Sequence, residues 1–128
     1  MSGTPYTWNP EWLVDATAAT RRAAIRAYRR AGITNPAEIE VAEITALTPA
    51  LHAPTVNALQ LDSLDEKQVN PSGGVRSNFP GLANGLLRVI ETVETLKNGE
   101  GSRIGVAHAV DYLLGTVSSN ASVLVVEA

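Results

Sequence analysis

The chain has 128 residues, 45% of them apolar and 18% charged, with a formal net charge of −3 and no cysteine. That length suits one domain, and the apolar share is enough for a packed core. The negative balance speaks against nucleic acid or an anionic lipid surface as partner, and the missing cysteines exclude a disulfide framework, a thiolate metal site and a cysteine nucleophile within these residues.

No apolar run reaches the roughly 20 residues of a membrane-spanning helix, and Met1-Ser2-Gly3-Thr4-Pro5 has neither the basic nor the apolar region of a secretion signal. The expectation is therefore a cytoplasmic protein. Residues 1–14 form an arm containing Pro5, Tyr6, Trp8, Pro10 and Trp12. It either wraps a partner or covers an edge of its own domain, which occupies residues 15–128.

Asp15 to Ala31 is rich in alanine and arginine and is followed by Gly32, which predicts a helix with a left-handed stop. Ala23, Ala24, Ala27, Tyr28 and Ala31 share one side; Arg22, Arg26, Arg29 and Arg30 share the other. The arginine side is either a solvated face or a place for an anionic ligand such as the nucleotide of coenzyme A.

After the Asn35-Pro36 turn, Ile39, Val41 and Ile44 alternate with Glu38, Glu40 and Glu43, a strand pattern. Thr48-Pro49 predicts a second helix to about Leu61 with Thr48 as its cap, and Pro54 predicts a kink or a later start near Ala53. Within it, His52 has no partner at metal-ligand spacing, so zinc is not expected. A polar loop leads to Val69-Asn70-Pro71-Ser72-Gly73-Gly74, read as a tight structural turn. From Phe79-Pro80 to Asn98-Gly99 the residues Leu82, Leu86, Val89, Ile90, Val93 and Leu96 recur at helical spacing. Arg103–Ala109 and Ala121–Glu127 read as strands, the second as a continuous apolar run of the buried kind.

The element order and several phrases together resemble the C-terminal domain of the thiolase superfamily, especially the sterol carrier protein thiolases. The phrases are Arg22-Ala23-Ala24 to Ala31-Gly32-Ile33, Ile39-Glu40-Val41-Ala42-Glu43, Val69 to Gly74, Pro80 to Gly85, and Gly105-Val106-Ala107-His108. The resemblance covers roughly Ala16 to Glu127. It implies an α/β fold, the C-terminal half of a βαβαβαββ pair of mixed sheets covered by helices. It also implies chemistry at a coenzyme A thioester, in which a carbon–carbon bond forms or breaks and a cysteine of the other half is the nucleophile.

The same resemblance assigns three site positions. Thr45 stands where the family places an asparagine or histidine. In Ser77-Asn78-Phe79-Pro80, with one residue fewer than the family spacing, Phe79 stands for the histidine of a Gly-His-Pro phrase. Phenylalanine cannot donate to an oxyanion, and Asn78 beside it is either a helix cap or a substitute donor. His108 matches the third position and is the remaining candidate proton carrier, or else a packed, hydrogen-bonded residue. Asp111-Tyr112-Leu113-Leu114 follows as an insertion, and Tyr112 could act as a phenolic acid in an aldolase-type variant. Asn70, Pro71, Ser72, Gly73 and Gly74 are implied to be structural.

On this reading the chain is not an enzyme alone and binds no cofactor; a coenzyme A thioester is substrate of the whole complex. The expected partner supplies the N-terminal half or is a full thiolase-like subunit, with a zinc-ribbon and OB-fold acyl-coenzyme A binding protein as a possible companion in a hetero-oligomer. Three roles stand open: a subunit completing fold and pocket for cleavage or formation of a carbon–carbon bond, a structural or regulatory subunit that binds no substrate, and a free-standing acyl-coenzyme A binding module dependent on Arg22 to Arg30.

Overall fold

A computed structural model describes residues 15–99, 104–111 and 120–128. The residue-1–14 arm, Arg103 and Tyr112 lie outside them. The fold is α/β, with a small mixed sheet between helices.

Helix α1 (Ala18–Ala31) opens beside Asp15, whose carboxylate accepts from Thr17 N and Thr17 Oγ1 at 2.8 and 2.7 Å and pairs with Arg21 at 3.1 Å. These hydrogen bonds, those from Thr17 foremost, hold the Asp15 carboxyl below the usual carboxylate range. The helix ends at Gly32 with φ of 73°, where Ile33 N reaches back to Tyr28 O at 2.9 Å. Ala24 and Tyr28 are buried and the arginines exposed, as the amphipathic pattern predicts, although Ala31 is exposed too.

A 3₁₀ turn (Pro36–Glu38) starts on Asn35, whose side chain accepts from Ala37 N. Strand β1 follows at Val41–Glu43, shorter than the pattern suggests. All three of its residues are buried, Glu43 included. Alternation would put Glu43 toward water. Instead, both faces of β1 are covered: a later helix lies over one, and the core residues Tyr28, Leu59 and Leu61 pack with Ala42 on the other.

Helix α2 (Pro49–Ala58) carries Pro54 inside it and no side-chain cap from Thr48. It stops short of Leu61 because Gln60 turns left-handed (φ 58°), letting Leu61 N reach Val56 O at 3.1 Å. Leu59 and Leu61 drop into the core, where Tyr28, Ile39, Ala42, Ile44 and Val106 also pack. Tyr28 OH donates to Leu59 O at 2.6 Å, tying α1 to this turn.

The Asn70 turn enters through a parallel bridge between Val69 and Ala42 and leads to the four-residue helix α3 (Gly74–Ser77). Phe79 and Pro80 are exposed, a 3₁₀ turn (Gly81–Ala83) intervenes, and helix α4 runs from Asn84 to Asn98. Strands β2 (Ile104–Val110) and β3 (Ala121–Glu127) complete the sheet in the order β1–β2–β3, parallel then antiparallel. β3 is an outer strand with Ser122 and Leu124 exposed, not the buried strand its apolar run suggests.

α4 faces an unexpected way. Of the apolar series only Leu96 is buried, while Leu82 in the preceding 3₁₀ turn and Leu86 and Ile90 on the helix are exposed. Its inner side is Asn84, Arg88, Thr92 and Leu96, each one turn after the last. Gly105 lets this side come close: a Cβ there would stand 2.6 Å from Thr92 and 2.9 Å from Val41. Among the described residues no helix is long and apolar enough to cross a membrane.

Candidate functional site

The sheet and α4 bring the candidate positions Thr45 and His108 together inside the domain. β1 delivers Glu43 toward α4, and Thr45 follows two residues later; β2 delivers His108 toward α1. Thr20 of α1 lies 3.0 Å from His108 Nε2, and Thr45 N lies 3.3 Å from His108 Nδ1. A backbone N–H can only donate, so Nδ1 is the acceptor and the ring proton of the neutral imidazole sits on Nε2, donated to Thr20 Oγ1. Thr45 Oγ1 donates to the His108 carbonyl at 2.9 Å and accepts from Asn84 Nδ2 at 2.8 Å. His108 is 1% exposed, and burial pushes its pKa down to about 4. At neutral pH the ring is therefore uncharged and engaged at both nitrogens.

A second polar group lies beside the first. Glu43 and Arg88 form an ion pair of 2.8 Å with side chains 0% and 1% exposed. Ser72 gives Glu43 two more hydrogen bonds, from its backbone N at 2.9 Å and its hydroxyl at 2.8 Å. Three donors on one buried carboxylate are what keep a charge stable away from water. Arg88 Nη2 donates to Asn78 O at 3.2 Å. Asn70, itself left-handed (φ 56°), accepts from Ile44 N at 2.6 Å and so pins the turn to the end of β1.

The turn residues Asn70 and Ser72 thus brace β1. Asn78 is not the cap of the following helix: it is exposed, and Pro80 and Ala83 hold the positions ahead of the 3₁₀ turn and α4. What it contributes is its carbonyl, to Arg88. The aromatic ring of Phe79 is about half exposed. His52 lines a shallow groove with Glu66, Asn70 and Arg76. Among the described residues no group of three or more His, Cys, Asp or Glu could hold a metal ion.

Sequence reasoning passes over Thr20, Glu43, Asn84 and Arg88. The signal was the i, i+4, i+8 spacing of Asn84, Arg88 and Thr92, a polar stripe that ordinary patterning assigns to solvent. Asn84 Oδ1 and Arg88 Nε are buried and have no hydrogen-bond partner among the described residues. Set against known protein families and against curated proteins, the chain matches none.

Proposed function

We propose that this chain is a structural subunit of a thiolase-like complex acting on acyl-coenzyme A thioesters, one that completes its partner's fold and contributes no reacting group. The observation that carries the reading is the reversed helix α4. Its polar side is consumed inside the domain, and Leu82, Leu86 and Ile90 stand in the open, with half-exposed Phe79 beside them. Apolar side chains grouped on one face of a small domain are characteristic of a surface covered by another chain. The succession β1, α2, the Val69 bridge, α4, β2 and β3 supports a thiolase-type half as the scaffold, since it alternates strand and helix and closes on an antiparallel pair.

His108 supports the structural role over the catalytic one. A proton carrier must reach a substrate and titrate near the working pH; this ring does neither unless Thr20 and Thr45 release it. Arg26 and Arg30 on α1 line an open groove with Ala121–Val125 of β3.

The test is isolation of the chain from its host with identification of co-purifying proteins, followed by an acyl-coenzyme A cleavage assay on the complex. A thiolase-like partner bearing a nucleophile, retained activity in a His108→Gln complex that still assembles, and loss of the partner from Leu86→Lys are the expected results. A drop of a hundredfold or more in an intact His108→Gln complex, about what a proton-transfer residue contributes, would make the chain catalytic instead.

A further inference from the structure

β3 is the outer strand of the sheet, and among the described residues no strand pairs with its free side. From Ala121 to Val126 it carries no charge and no proline, and its register with β2 runs unbroken through all seven pairs, so no bulge disrupts it. Those are the devices by which edge strands are normally kept from pairing.

The two sides of this edge differ in chemistry. Val123 lies opposite His108, whose ring meets α1, so Val123 and Val125 belong to the α1 side. There the groove beside the strand is lined by Ala23, Ala27, Arg26 and Arg30. α1 contains no carboxylate, and Arg26 and Arg30 are exposed with no ion pair among the described residues. Leu124 lies opposite Ala107, on the α4 side, where Gly85, Leu86 and Val89 line the other groove without any charged side chain. Leu124 is 50% exposed and Leu86 65%.

We infer that the free edge of β3 accepts an extended strand from another protein, with carboxylates at alternate positions over Arg26 and Arg30 and apolar side chains between them in the Leu86–Leu124 groove. Spacing supports the match. Arg26 and Arg30 are one helical turn apart, about 6 Å along the axis, and alternate residues of a strand advance about 6.7 Å. Backbone pairing supplies affinity and the alternating side chains supply selection. Neither this chain's own arm nor a second copy of β3 offers that pattern: Glu11 is the single carboxylate of residues 1–14, and Glu127 that of the strand. The acceptor chemistry is set by the edge, whichever family the partner belongs to.

Two capped octapeptides, one alternating valine with glutamate and one alternating valine with lysine, are titrated into the full chain labelled with ¹⁵N. The Val–Glu peptide is expected to shift and protect the amides of Ala121–Glu127 and to bind roughly tenfold or more tighter than Val–Lys, with the order reversed in Arg26→Glu/Arg30→Glu. Both Arg positions are exposed, so that variant keeps its fold, which its amide spectrum verifies. No response at β3, or an unchanged preference in the double variant, overturns the inference. So does a dimer by sedimentation that Leu124→Lys dissolves, which gives the edge to a second copy, or protection of β3 without peptide that is lost in Trp8→Ala/Trp12→Ala, which gives it to the arm.

Discussion

Glu43 Oε2 and Arg88 Nη1 meet at 2.8 Å with neither side chain in contact with water. The pair links the end of β1 to the inner side of α4, and Ser72 joins the Asn70 turn to the same carboxylate. Removing one member leaves the other as an unpaired buried charge, whereas replacing both with apolar residues removes the problem along with the pair. Glu43→Gln or Arg88→Met alone should lower stability by about 3–5 kcal/mol. Glu43→Leu with Arg88→Met should recover most of that loss. Urea unfolding of the three variants measures both, and additive losses in the double variant would count against the pair as the source.

His108 makes the domain acid-sensitive within a defined window. Burial lowers its folded pKa to about 4 from an ordinary value of 6.5, so between these values the unfolded chain binds a proton that the folded one refuses. Stability is then complete above about pH 6.5, falls as the pH drops toward 4, and levels off below for this group. At about 1.4 kcal/mol per pH unit, the loss is roughly 3 kcal/mol. In His108→Gln that part of the pH dependence should vanish, although the variant is less stable overall. Denaturant midpoints at pH 7, 5.5 and 4 for both proteins provide the measurement.

The outward residues of α4 should behave in the opposite manner. Leu86→Lys and Ile90→Glu change exposed positions, where effects on folding usually stay within about 0.5 kcal/mol. The melting temperature of the isolated chain should hardly move, while recovery of its partner falls sharply. If a partner binds both variants at full strength, α4 is not the docking face.

Gly105 sets how closely α4 approaches the sheet. Gly105→Ala would drive a methyl group to 2.6 Å from Thr92 and 2.9 Å from Val41, with Leu96 behind at 3.2 Å. Overpacking of this kind costs about 1–3 kcal/mol. Calorimetry on the variant and on Gly105→Ala/Thr92→Ser, which clears the nearest clash, should show the loss and its partial reversal.

Local signals carried much of the architecture. The Ala-rich helix ending at Gly32, the strand at Ala121–Glu127 and the helix ending near Asn98 were all legible, because propensity and stop residues act within a few positions. Burial was less so. Glu43 looked outward because alternation assumes one wet face, and β1 has none. Leu82, Leu86 and Ile90 looked like core because an apolar stripe normally finds one, but Asn84, Arg88 and Thr92 meet the buried Thr45, Glu43 and Val106 carbonyl instead. His108 could be picked out by resemblance; its partners Thr20 and Thr45 lie 88 and 63 residues away, and only the assembled sheet brings them together.

The inward polar side of α4 separates two demands that most helices must meet with the same residues. Asn84, Arg88 and Thr92 key the helix to the sheet, leaving Leu82, Leu86 and Ile90 without a share in holding the domain together. Such a surface is free to drift: a lineage can exchange its outer residues, and with them its choice of companion, without repacking its interior.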